Sequence, residues 1–202
     1  MINDQIRGIL LASAEVKKAI ANDEGVMESI RKATESIVQS FQHGDRVYFC
    51  GNGGSAADAQ HLAAEFSGRF YKDRAVLPSE ALHTNSSYIT AVANDYGYDE
   101  VYARIAGSFS PGDVLIGLST SGNSKNIVRA FEVCRNRGVL TIGLTGEEGG
   151  KLKLLSDLWI GVPSNDTPRI QEAHITVGHI ICQLVEESLF GLEKDTIKLS
   201  QS

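Results

Sequence analysis

Short runs dense in apolar residues alternate with helix-patterned stretches from residue 46 to residue 190, and this alternation restricts the fold more than any other feature. "RVYFC" (46–50), "DVLIGLS" (113–119), "VLTIGLT" (139–145) and "DLWIGVP" (157–163) have the length and density of buried strands, and "SEALHT" (79–84) is a weaker fifth. Helical patterns lie between them, at about 55 to 70, in "SSYITAVANDYG", in "DEVYARIAGSF", and in "SKNIVRAFEVCRNRG" with Gly138 as its stop. A last helix runs from about 168 to 190, with Pro168 suited to its first turn. Apolar strands linked by helices make a parallel sheet covered on both faces. The predicted fold class is α/β, a three-layer αβα sandwich with a five-stranded parallel, Rossmann-like sheet.

Two helices precede the sheet. Ile6, Ile9, Leu10 and Ala14 recur at helical spacing, as do Val26, Ile30, Ala33, Ile37 and Phe41, with a break at "NDEG" (22–25). "HGD" (43–45) stops the second helix. Both are amphipathic, so their apolar faces need a partner, either the chain's own sheet or another subunit. The 202 residues read as one domain, with a helical pair over 1–43 and the sheet domain over 44–192.

The formal net charge of −6 and the lack of a Lys/Arg-rich block argue against a nucleic-acid partner. "MINDQIRGILLASAEV" carries Asp4 and no basic n-region, so it predicts a helix and not a signal peptide. No apolar run approaches the roughly 18 residues of a membrane span. Cys50, Cys134 and Cys182 are scattered, without a C-x-x-C pair, which fits reduced thiols and a cytoplasmic location.

In such a sheet, ligands bind beyond the carboxyl ends of the strands. Three features fall there. "CGNGGSAAD" after the first strand places Gly51, Gly53 and Ala56 at dinucleotide-binding spacing. That chemistry also needs an acid at the end of the second strand, and His83-Thr84-Asn85 supplies none. The glycines still let backbone approach an anion or sugar closely. "GLSTSGNSKN" (117–126) gathers the hydroxyls of Ser119, Thr120, Ser121 and Ser124 between a buried strand and a helix. With the positive helix end, these groups suit a phosphate monoester, and without G-K-[ST] the loop is not a Walker A motif. Finally, His61 and Glu65 share one helix face, and Gln171 and His179 lie roughly 80° apart on the last helix, whereas His174 is roughly 140° away from His179. Two histidines, a carboxylate and an amide oxygen could bind zinc or serve as general acid and base.

These motifs, with "AVANDYGYDEVYAR", "TIGLTGEEGGKL" and "RIQEAHITVGHIICQLVE", resemble the sugar isomerase (SIS) domain family, and within it the phosphoheptose isomerases, over nearly the whole chain. The resemblance implies conversion of D-sedoheptulose 7-phosphate to D-glycero-D-manno-heptose 7-phosphate, the first step of bacterial ADP- or GDP-heptose synthesis. It implies a cytoplasmic homotetramer with sites at subunit interfaces. Ser119, Thr120, Ser121 and Ser124 would hold the phosphate. Asn52, Gly53, Gly54 and Ser55 would line the sugar site with Glu65 and Gln171, and Asn94 and Asp95 would lie near its hydroxyls. Glu65 and His179 would be the acid/base pair, and His61, Glu65, Gln171 and His179 the ligands of one Zn²⁺ per subunit. A non-catalytic relative that binds the replication initiator DnaA shares the core, but its glycine loop reads G-N-G-T-S and it lacks the Glu and the last-helix His. Gly54, Glu65 and His179 are present here, which favours the enzyme.

Overall fold

The computed structural model describes residues 1–191. Its strands are β1 Val47–Gly51, β2 Ser79–Ala81, β3 Val114–Leu118, β4 Leu140–Thr145 and β5 Leu158–Gly161. Its helices are α1 Ile2–Ala21, α2 Glu24–His43, α3 Gly54–Ser67, α4 Ser86–Tyr96, α5 Val101–Ala106, α6 Lys125–Arg137, α7 Gly150–Leu155 and α8 Thr167–Phe190, with a 3₁₀ turn at Tyr98–Glu100. All strand pairs are parallel, in the order β2-β1-β3-β4-β5. The last residue of the expected sheet domain, 192, lies outside the described residues.

Every residue of β3 is buried, because helices cover both faces. Val114, Ile116 and Leu118 point into a core shared with Ile37 of α2, Leu62 and Phe66 of α3 and Val177 of α8. Leu115 points the other way, toward Tyr102 of α5, Ile127 and Phe131 of α6 and Leu152 of α7. This alternation is the two-residue period of a strand used on both sides. The αβα sandwich expected from the sequence is therefore present. The strand order reverses between β1 and β3, and at such a point the loops beyond the carboxyl ends part to leave a crevice. Gly51 pairs with Leu118, so the glycine and serine loops leave the sheet at the same level, one on each side of that crevice.

Four local expectations need correction. β2 ends at Ala81 and not at 84, because the Thr84 N–H and hydroxyl both donate to the Ala81 carbonyl and turn the chain. α3 ends at Ser67 and not at 70, because the next amides are held elsewhere: Phe70, Tyr71 and Lys72 all donate to the Glu186 carboxylate. "DEVYARIAGSF" is not one helix but a 3₁₀ turn and the six residues of α5, ending at Gly107. α7 is an additional element, a six-residue helix too short to show a period in the sequence.

Among the described residues no helix is long and apolar enough to cross a membrane. All three cysteines are buried and unpaired. The helical pair divides in its packing. α2 contributes Ile30, Ala33, Ile37 and Phe41 to the core, whereas α1 buries only Ile20. Ile2 and Leu10 of α1 are 70% and 66% exposed, beside exposed Ile6, Ile9 and Leu11.

His174 is fully buried in α8, where its Nε2–H donates to the Thr145 carbonyl at 3.1 Å and Nδ1 has no partner. Burial lowers its pKa from 6.5 to about 4, outweighing the hydrogen bond to Thr145. The unfolded chain therefore binds this proton first as pH falls. Its contribution is fully present above pH 6.5 and is lost as pH drops toward 4. About 2.5 pH units at about 1.4 kcal/mol each make that loss roughly 3 kcal/mol. His174→Gln keeps an amide donor for Thr145 and cannot titrate. Urea midpoints measured from pH 7 to pH 4 should fall more steeply for the parent chain than for this variant, and equal slopes would contradict the assignment.

Candidate active site

The glycine loop is shaped by close backbone contact. A Cβ at Gly51 would lie 2.3 Å from the Ser55 carbonyl oxygen, and Gly53 adopts φ +54°, where a side chain is strained. Gly54 meets the last helix: a Cβ there would lie 2.8 Å from Nε2 of Gln171. The start of α8 therefore rests on the start of α3. Asn52 is half-buried, Gly53 and Gly54 are exposed, and Ser55 is buried inside the turn. The residues that directly follow β2, Leu82-His83-Thr84-Asn85, include no acid where a ribose-binding carboxylate would stand.

Across the crevice, the serine loop brings two of its hydroxyls together. Ser119 Oγ and Ser124 Oγ lie 2.9 Å apart, and the Asn123 N–H donates to Ser121 Oγ at 3.2 Å. Ser124 is the N-cap residue of the thirteen-residue α6, yet its side chain makes no capping bond. Its hydroxyl faces the loop, in front of the positive end of the helix. The loop is braced from behind: Gly146 donates to the Thr120 carbonyl, Leu152 to the Gly122 carbonyl, and the Lys151 N–H to Asn123 Oδ1. Gly122 at φ +65° lies so close to Gly149 that a Cβ would meet its carbonyl at 1.9 Å. This rigid cradle of hydroxyls and amides suits an anion.

The third cluster forms where α3 and α8 touch. Ala59, Leu62, Ala63 and Phe66 make the buried stripe of α3 and leave His61 and Glu65 on its flank. Gly178 lets α8 come close, because a Cβ there would lie 2.5 Å from the Leu62 methyl carbons. The neighbours of this contact then meet. His179 Nε2 lies 2.9 Å from His61 Nε2, which lies 3.0 Å from Glu65 Oε1. Burial first, and then His61, hold the His179 imidazole below its ordinary pKa, while Glu65 pulls it upward. Ligand atoms of all three residues lie within 4.8 Å of one another. Ligands bound about 2.0–2.1 Å from zinc in a tetrahedron stand about 3.3 Å apart, so this donor set of two imidazoles and a carboxylate fits that ion. Gln171 is on the same side of α8 but eight residues earlier, about 12 Å along the axis. That rise separates two residues that the helical angle alone brings together. To serve as the fourth ligand within one chain, the Gln171 amide has to leave Gly54.

Asn94 and Asp95 sit exposed on the last turn of α4 and bond each other at 2.9 Å, not either loop. Tyr98, just beyond them, does reach the glycine loop, donating to Asn52 Oδ1 at 3.3 Å. Three further features were missed in the sequence. Gly178 carried a signal, since a lone glycine inside a long helix often marks close packing. Asn126 lay inside the serine motif but has no hydroxyl. The Arg74–Glu186 pair spans 112 positions, and no local pattern connects them.

The chain matches the SIS domain family model over residues 12–146. It is 50% identical to the phosphoheptose isomerase of Aneurinibacillus thermoaerophilus, over 94% of this chain and 96% of that protein. It is 49% identical to phosphoheptose isomerase 2 of Campylobacter jejuni, over 94% and 95% of the two chains. Among solved structures it resembles the phosphoheptose isomerase of Neisseria gonorrhoeae, with a TM-score of 0.86, 36% identity, and coverage of 93% of this chain and all of the other. The sheet, the helices around it and both loops are thus shared with these relatives over nearly the whole chain, and the chain belongs to the phosphoheptose isomerase family of SIS-domain proteins.

Proposed function

We propose that the crevice isomerises D-sedoheptulose 7-phosphate to D-glycero-D-manno-heptose 7-phosphate, with Glu65 and His179 as the proton carriers, in the cytoplasm and at the start of ADP- or GDP-heptose synthesis. The observation that carries the reading is the meeting of Glu65, His61 and His179 at 2.9 and 3.0 Å, on a fold whose serine loop gathers a hydroxyl cradle at the carboxyl edge of the sheet. Aldose–ketose isomerisation takes a proton from C1, returns one to C2, and moves a proton between the two oxygens through a cis-enediol. Glu65 takes the carbon-bound proton, and His179, a largely neutral imidazole near pH 7, serves the oxygens. Asn52, Gly53, Gly54 and Gln171 line the sugar chain, with Asn94 and Asp95 toward its hydroxyls. Ser119, Thr120, Ser121 and Ser124 anchor the far phosphate and fix C1 and C2 against the acid and base.

His61, Glu65 and His179 would hold a zinc ion, with Gln171 as the fourth ligand the family resemblance implies, and Glu65 or His179 would have to leave the metal when substrate enters, since a zinc-bound group is a poor base. Bound there, the metal would polarise the substrate carbonyl oxygen as a Lewis acid. The exposed apolar face of α1 supports the expected homotetramer, in which a second copy would bury it.

Protein purified without chelator and incubated with sedoheptulose 7-phosphate tests the reading. The heptose aldose should appear by NMR, slow on chelation and recover with Zn²⁺, and light scattering should give a tetramer. No conversion would leave a sugar-phosphate binder. A reaction indifferent to chelator and added zinc would remove the metal, and a monomer would remove the assembly. Combined Ser121→Ala and Ser124→Ala should raise KM about 10-fold or more while kcat changes less, since two hydrogen bonds to a charged group are lost. An unchanged KM would place the phosphate elsewhere.

The DnaA-binding alternative has no support from the site. A threonine at position 54 would drive its Cβ into the Gln171 amide, and this chain keeps the glycine together with Glu65 and His179.

A further inference from the structure

Asn52 of the glycine loop and Asn126 of the first turn of α6 join their amides across the crevice, 74 positions apart in the chain. Asn52 Nδ2 donates to Asn126 Oδ1 and Asn126 Nδ2 donates to Asn52 Oδ1, both at 2.9 Å. Two amides can pair this way in either of two orientations, and one outside contact selects between them. The Ile127 main-chain N–H donates to Asn126 Oδ1 at 3.0 Å. A backbone N–H cannot accept, so the Asn126 oxygen is fixed on that side and Asn52 must turn its Nδ2 toward it. The Tyr98 hydroxyl adds a second donor to Asn52 Oδ1 at 3.3 Å. The Asn52 oxygen then has two donors for its two lone pairs, and one Nδ2 hydrogen is unspent. Asn126 is 3% exposed, whereas Asn52 is half-buried, so of the two amides it is Asn52 that opens to the crevice.

We infer that Asn126 is a positioning residue that fixes Asn52 as a hydrogen-bond donor toward the substrate and ties the sugar-facing loop to the phosphate-facing loop. The inference rests on the sugar-phosphate reading above. It specifies what Asn52 recognises: an oxygen with a free lone pair, such as a chain hydroxyl or the open-chain carbonyl. It also explains how the two loops keep their spacing although they belong to different βα units.

A double-mutant cycle tests this, because a purely structural Asn126 would matter whether or not Asn52 is present. Asn52→Ala and Asn126→Ala should each lower kcat/KM for sedoheptulose 7-phosphate about 10-fold. The double variant should be no worse than Asn52→Ala alone, within about 2-fold. A double variant down about 100-fold, the product of the separate losses, would overturn the inference. If Asn126→Ala does not fold, Asn126→Asp serves in its place: it keeps acceptors for Ile127 and Asn52 Nδ2 but loses the donor to Asn52 Oδ1, and it should likewise have no effect in the Asn52→Ala background. Active parent protein with an additive cycle sinks only the positioning claim. Parent protein that binds sedoheptulose 7-phosphate without turnover sinks the isomerase reading, and the same cycle measured in Kd then decides the positioning claim. Parent protein that does not bind it overturns both.

Discussion

Glu65→Gln should lower kcat for sedoheptulose 7-phosphate by about 10²- to 10⁴-fold, the range for loss of one positioned general acid or base. The change is nearly isosteric and removes the carboxylate's charge and its ability to take a proton. Glu65 lies on the flank of α3, outside the Ala59, Leu62, Ala63 and Phe66 stripe, so the variant should fold with a thermal midpoint close to the parent's. His179→Gln should give a loss of similar size, since the half-buried imidazole meets His61 and Glu65 and takes no part in the core. The two losses should not multiply, because the groups serve one proton path. Turnover and circular dichroism on the same samples separate chemistry from folding. Near-parental kcat in both folded variants would mean that the protons move elsewhere.

Glu186→Ala should destabilise the fold by about 3–5 kcal/mol, the usual cost of leaving a buried charge without its partner. The Glu186 and Arg74 side chains are each 2% exposed and lie 3.0 Å apart. Glu186 also accepts from the Phe70, Tyr71 and Lys72 amides, so its removal strands three backbone donors as well. Arg74 spends its remaining donors on the carbonyls of Glu65, Phe66, Gly68 and Ala75. This network closes the end of α3, one residue of which is Glu65, and holds Phe70 with its ring 5.7 Å from that of His179. The expected result therefore reaches the site: Glu186→Ala should lose activity along with stability. Exposed pairs such as Arg31–Glu28 are screened by solvent and should change stability little when broken. Urea denaturation distinguishes the two kinds of pair, and a Glu186→Ala loss below about 1 kcal/mol would mean that water relieves the charge.

The strands were legible because burial on both faces writes them as nearly unbroken apolar runs, and β3 is the clearest case. Their carboxyl ends follow directly, which is why the glycine and serine loops could be singled out before any contact was known. Pairs on one helix were legible too, since His61 and Glu65 need only the period of α3. Contacts between elements were not. The meeting of His61 and His179 depends on Gly178 lying against Leu62, and the amide pair of Asn52 and Asn126 depends on β1 and β3 being neighbours in the sheet. Gln171 shows the reverse error, where angle was counted and axial rise was not. The end of α3 was misplaced for a long-range reason, because Glu186 near the far end of α8 takes the amides that would have continued it.

Conversion of sedoheptulose 7-phosphate in D₂O tests the central claim most directly. A proton that passes through Glu65 and a cis-enediol exchanges with solvent, so the product aldose should carry deuterium at C2, seen by NMR as loss of the C2 proton signal. Glu65→Gln should form neither product nor label at a comparable rate. Product that forms at the parental rate with its C2 proton fully retained would contradict a solvent-exchanging carboxylate base at this site.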